Sequence, residues 1–291
     1  MKKKITFIVP VCSRGQKWQS ATECPLITKY LASAVKTILP EDYDKYDFHC
    51  KFGFDHDDAF FLNEHNIDTI KKSFIAMALE GNRIEVSYHA FDDTKHNPVQ
   101  CWNNLAKLAV EEGADYLYQT GDDVELQTPG WVDKFVDALE STGNVGVAAP
   151  KDLGYHGLYT QSFVHKTHLE IMGQYYPSAF RSWYCDDFIT GVYKHSYSHY
   201  LEDCHIKNTG GPQRYQAHDA QPILVEEVAR GQKKLWDYLT PDMNEEEKNA
   251  LYGEMRSVHT RYEEIAKTMT TAPAKPFWST ATKIFEGLVN G

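Results

Sequence analysis

The chain lacks a cationic excess. Of 291 residues, 30 are Lys or Arg and 41 are Asp or Glu, a formal net charge of −11. Sequence-independent nucleic-acid binding needs the opposite sign, so that class is excluded. No apolar run approaches the ~20 residues that span a bilayer. The stretch Ile5 to Val9, between Lys2-Lys3-Lys4 and Pro10, is too short for the apolar part of a secretory leader. Cys12, Cys24, Cys50, Cys101, Cys185 and Cys204 form no CxxC pair, which excludes zinc-finger spacing and reads as reduced thiols in a cytoplasmic protein. Gly is scarce where a triphosphate cradle would need it: Cys12-Ser13-Arg14-Gly15-Gln16-Lys17 holds only one. Internal repeats and low-complexity tracts are absent as well.

What remains is an ordinary globular composition, 42% hydrophobic and 24% charged, patterned as alternating strands and helices. Ile5–Val9 is a continuous apolar run, as in a strand buried on both faces. Residues 25–39 follow a helical period and stop at Pro40. Residues 46–54 and 83–89 read as strands, 67–79 as a helix between them. Asn97-Pro98 opens a further helix, with Asn as cap and Pro in the first turn, and Gly113 closes it. Residues 115–120 form the fourth strand. Thr128-Pro129-Gly130-Trp131 starts a helix to Leu139, and residues 145–149 form a fifth strand ended by Pro150. This alternation predicts an α/β fold, a mainly parallel sheet flanked by helices. Residues 151–220 are rich in Tyr, His and Gly, with short irregular apolar segments. From Gln221 the chain is predicted helical. The domains expected are therefore 1–220 and a C-terminal helical extension, 221–291, with a tail after the Thr271–Pro276 linker suited to a homodimer contact.

Three polar clusters close predicted strands: Pro10-Val11-Cys12-Ser13-Arg14, Asp55-His56-Asp57-Asp58 and Gly121-Asp122-Asp123. Carboxyl ends of parallel strands share one edge, where open α/β sheets bind ligands. Two adjacent carboxylates repel unless a cation joins them. Oxygen ligands suit Mg²⁺ or Mn²⁺, which complete their shells with substrate phosphates.

These motifs, in this order, resemble those of nucleotide-sugar glycosyltransferases of the GT-A fold, nearest the family 2 type. The likeness covers about residues 4–220. It includes a later acidic motif, Trp183-Tyr184-Cys185-Asp186-Asp187-Phe188. The resemblance implies a GT-A (Rossmann-like) sheet and transfer of a sugar from a nucleotide-diphosphate donor, of UDP type, to a saccharide or other hydroxyl acceptor. It implies that Pro10, Val11, Cys12, Ser13 and Arg14 hold base and ribose through backbone groups. Asp55 or Asp57 would bond the base, and Asp122 would lie by ribose and diphosphate. Asp123 would ligate Mn²⁺ or Mg²⁺, helped by His205 or His218, because the first Asp of the family's Asp-x-Asp motif is Gly121 here. Asp187, with Asp186 next, would be the base of an inverting reaction. Trp183 and Tyr184 would stack on the acceptor, and Arg181, Arg214 and Lys207 could offset diphosphate charge. The alternatives are a sugar-phosphate nucleotidyltransferase and a nucleotide-sugar-binding module with little turnover.

Overall fold

The structure, a computed structural model, describes residues 2–78, 84–154, 158–193, 197–209, 214, 221–244 and 246. The apolar run at the start forms β1 (Lys3–Pro10), buried from Ile5 to Val9. It can be apolar on both faces because it is central in the sheet. β2 (Tyr46–Asp55) pairs with it in parallel on one side and β4 (Tyr116–Gln119) on the other. β3 (Ile84–Phe91) extends the parallel set beyond β2. The full order is β3-β2-β1-β4-β7-β6-β8-β5, where β5 is Val124–Leu126, β6 Val147–Asp152, β7 Ser162–His165 and β8 Ser198–Asn208.

The expected mainly parallel sheet is observed, with antiparallel pairs confined to the β7, β6, β8 and β5 side. β7 runs antiparallel to β4 and β6, and β5 antiparallel to β8, while β6 and β8 are parallel. β6 also continues past Pro150, which had been expected to end it. The β6–β8 ladder shifts register between Pro150 and Lys151. A residue without an N–H is tolerated at such an irregularity.

Helices cover both faces. Leu26–Leu31 winds as a π-helix and continues as α1 (Ala32–Thr37); α2 (Asp42–Lys45) and α3 (Glu64–Ala78) follow. α4 (Pro98–Glu111) is capped by Asn97, whose side chain accepts from the Gln100 amide. Its Leu105, Ala106 and Ala109 are sealed from solvent, and it packs on β1 and β2. The approach is close enough that a Cβ on Gly53 would lie 2.4 Å from Cys101 Sγ. The other face carries α5 (Trp131–Glu140). Trp131 and Phe135 interlock there with Phe7, Tyr118 and Phe163, with centroids 5.1–6.1 Å apart. α6 (Thr167–Met172) and α7 (Cys185–Val192) complete this unit.

Two compact units are present, Met1–Ala220 and Gln221–Gly291. In the second, α8 spans Gln221–Leu239. The predicted linker, amphipathic tail and dimer contact lie outside the described residues, as does His218. Among the described residues, no helix is long and apolar enough to cross a membrane.

Candidate functional site

The chain leaves β1 toward β2 on one side and returns from β3 to β4 on the other. Loops that part in this way open a crevice at the carboxyl edge. Residues 10–14 follow β1 and residues 120–123 follow β4, so both flank that crevice. β4, β7 and β6 alternate in direction, which puts Asp152, the last residue of β6, at the same edge. α7 starts there too. Asp152 raises the pKa of Asp186 in the first turn of α7, and Arg181 O accepts the Val99 amide at the start of α4 (3.3 Å). The predicted loops and the later acidic motif therefore share one edge of one sheet.

Within the first loop, the backbone is largely spoken for. Val11 is buried in the core, and its amide donates to Gly53 O (2.8 Å). Ser13 donates from amide and hydroxyl to Asp58, at 2.8 and 2.6 Å. Asp58 also accepts the Phe60 and Phe61 amides. The Val11 and Ser13 amides are thus engaged within the protein, while Pro10 and Cys12 are only partly buried. Arg14 reaches across to Asp55, Nη2 to Oδ2 at 2.8 Å, while Thr94 donates to Oδ1 (2.8 Å). Arg14 also lies 3.3 Å from His96 Nδ1. Asp55 is buried at the end of β2, whereas Asp57 pairs with Lys95 at the exposed rim. Of the two alternatives, Asp55 is the one directed inward. Asp58 was not singled out by sequence; its signal was an Asp two residues before a Phe-Phe pair whose amides it caps.

One carboxylate of the acidic motif is already paired with a side chain. Asp122 is 3% exposed, and Arg214 Nη1 donates to both its oxygens at 2.7 Å. Burial pushes the Asp122 carboxyl up to about 6, with Arg214 opposing and Asp123 adding. Arg214 Nη2 lies 4.0 Å from Asp123 Oδ2. The Asp123 carbonyl accepts both N–H and O–H of Thr209, and the Thr209 hydroxyl in turn accepts from Lys29 Nζ (2.6 Å). Gly121 is where the family motif has its first Asp. A Cβ there would meet Asp123 Oδ1 at 3.0 Å; Asp123 has folded over the space that the missing side chain would fill.

His205 is not brought to Asp123. The β5–β8 ladder sets Thr209 opposite Asp123 and His205 opposite Gln127, which separates them by four strand positions, roughly 13 Å. The His205 amide and carbonyl serve Thr128 and Gln127. Among the described residues, no group of three or more His, Cys, Asp or Glu side chains is arranged to hold a metal ion. Among the described residues, with Asp122 committed to Arg214 and His205 remote, Asp123 alone does not make a site for the divalent ion that the resemblance implies.

Asp186 and Asp187 occupy the first turn of α7, half-buried. Carboxylates suit that position because the helix presents unpaired amides there. Burial nevertheless raises both, and Asp187 is pushed up to about 7, with the charge of Asp186 adding. Trp183, just before them, is 50% exposed. Tyr184 has φ 71°. A bulky residue in the left-handed region is strained, and such strain clusters at functional sites.

No protein-family model matches this chain, and no curated protein matches it in sequence. Its shape does have solved counterparts. S. aureus TarS 1–349 in complex with UDP superposes with a TM-score of 0.51 at 13% identity, covering 93% of this chain and 75% of that one. TarS 1–349 without ligand gives 0.49 at 15% identity, over 85% and 68%. The mannosyltransferase PcManGT from Pyrobaculum calidifontis, in complex with GDP-Man and Mn²⁺, gives 0.47 at 10% identity, over 100% and 81%. At these identities the likeness is one of fold, and it rests on the UDP complex of TarS. The α/β architecture expected from the motifs, of GT-A type, is the one observed.

Proposed function

We propose that this protein is a glycosyltransferase that moves a sugar from a nucleotide-diphosphate donor, a UDP-sugar first among candidates, to a saccharide or other hydroxyl acceptor. The observation that carries this reading is the convergence at the β1–β4 crevice. Arg14 on Asp55, the Asp122–Asp123 pair and the Asp186–Asp187 pair come from four separate chain segments and meet one sheet edge. The TarS structure that shares this fold is one bound to UDP.

In this reading the nucleotide lies over the ends of β1 and β2, beside Cys12, Arg14 and Asp55. The diphosphate faces Asp122 and Asp123. A hydroxyl nucleophile must lose its proton as it attacks, and a base is most effective when its pKa is near the working pH. Asp187, raised to about 7, meets that condition, and Asp186 keeps it raised. A carboxylate on the side of the sugar opposite the leaving group gives inversion through an oxocarbenium-like transition state. Trp183, half exposed beside this pair, offers an aromatic face to an acceptor sugar. All six cysteines are free, which suits a reducing, cytoplasmic setting.

The test is a panel of nucleotide sugars with and without acceptor saccharides, reading release of nucleoside diphosphate. Acceptor-stimulated release from one donor is expected. Asp187→Asn should lower turnover at least about 100-fold, the usual share of a general base, while leaving UDP affinity unchanged. Near-normal transfer by that variant would remove Asp187 as the base. Pyrophosphate formation from a nucleoside triphosphate would replace this reading with a nucleotidyltransferase.

A further inference from the structure

The misfit between the acidic motif and a divalent ion has a positive side, and it rests on the donor reading above. We propose that Arg214 is the built-in cation of this motif: Nη1 holds Asp122 while the rest of the guanidinium faces the donor diphosphate, so nucleotide binding does not require a divalent metal ion.

Four observations converge on this assignment. First, Arg214 Nη1 spends itself on the two Asp122 oxygens, both at 2.7 Å. The guanidinium has five N–H donors in a planar fork. Among the described residues, Nη2 and Nε have no hydrogen-bond acceptor, Asp123 Oδ2 being 4.0 Å away. A phosphate oxygen is the group that planar fork fits best. Second, the side chain keeps 11% exposure and is not sealed in the core. Third, Lys29 supplies another positive charge at Asp123 through the Thr209 hydroxyl. Fourth, among the described residues Asp123 is the one motif carboxylate left for a metal. Asp122 is occupied, Gly121 brings no carboxylate, and His205 belongs to the far end of the β5–β8 ladder. A divalent ion at Asp123 would also meet the guanidinium as a like charge.

The motif keeps one unbalanced negative charge, since Asp122 and Asp123 face a single Arg214. That charge repels a diphosphate unless the guanidinium and the Lys29 ammonium outweigh it. Arg214 therefore does two jobs: it makes a buried carboxylate tolerable and presents the donors that a nucleoside diphosphate needs.

The experiment is calorimetric titration of the full chain with UDP and GDP, in EDTA and in Mn²⁺. One nucleotide is expected to bind in EDTA with a Kd within about threefold of its value in Mn²⁺. Arg214→Gln should weaken binding in EDTA tenfold or more, and Arg214→Lys should recover part of the loss. Binding by wild-type protein in Mn²⁺ alone would overturn the proposal. So would undiminished binding in EDTA by Arg214→Gln. Absence of binding in both media would remove the donor reading together with this inference, whereas binding only with Mn²⁺ would leave that reading intact. The wild-type comparison needs no variant, so a misfolded substitution does not protect the proposal.

Discussion

Asp187→Asn should make this protein more stable at pH 8 while it stops turnover. The Asp187 carboxyl rises from an ordinary 3.8 to about 7 on folding, a difference worth about 4 kcal/mol at pH values where the folded group is ionised. Asp186 and Asp187 titrate as a pair, so removing one charge recovers part of that, about 2 kcal/mol. The direction follows from proton counting. Both groups hold their protons more firmly in the folded chain. From about pH 4 upward the unfolded chain releases its protons first, and stability falls until the folded carboxyl ionises near pH 7. Asparagine at 187 flattens that decline. The assay is urea and thermal unfolding of wild type and variant at pH 5 and pH 8. At pH 5 the variant should already lead by about a third of its pH 8 margin, because the unfolded carboxyl has ionised and the folded one has not. At pH 8 the variant should melt about 4–8 °C higher, as about 2 kcal/mol shifts a unit of this size. A variant no more stable than wild type at pH 8, with an unchanged pH slope, would refute the claim that a buried charge is held there at a cost.

Two further substitutions test the frame of the site. Asp58→Ala removes the acceptor of four hydrogen bonds, two of them from Ser13; a loss of about 2–4 kcal/mol is expected from urea midpoints, with weaker UDP binding as the first loop loosens. A loss below about 0.5 kcal/mol, the range of an ordinary surface change, would show that the loop is held elsewhere. Gly146 has φ 133°, and a Cβ there would lie 2.3 Å from Tyr197 O. Gly146→Ala should therefore cost about 2 kcal/mol or more without altering the ratio of turnover to nucleotide affinity; unchanged unfolding would contradict the crowding.

The first half of the fold was legible because its central strands read as apolar runs. β1, β2, β3 and β4 fall where Ile5–Val9 and its counterparts predict them, and the Asn97-Pro98 start of α4 is a local signal that no tertiary contact overrides. The other half was not legible. β8 carries Ser, His, Glu, Asp and Lys along a partly exposed strand, and β5 has three residues; neither yields an apolar period. Pro150 misled because its stop signal is absorbed by a register shift. At the site, strand-end position revealed Asp55, Asp122 and Asp123. Arg214 stands out in the sequence only as one of three cations that could offset diphosphate charge; its pairing with Asp122, 92 residues away in sequence, comes about only through the fold. Nor could strand-end position separate His205 from Asp123, since the distance is fixed by a ladder that the sequence does not announce.

The reversal of strand direction at the β4–β7 seam divides responsibilities. On one flank lie four parallel strands and the groups that the proposed function assigns to the nucleotide; on the other lie the mixed strands and, in that proposal, α7 with the aromatic approach to it. Under the proposed function, substitutions or insertions between β6 and α7 would reshape the acceptor side and leave the donor side as it is. A lineage built on this plan could change customers while keeping its currency.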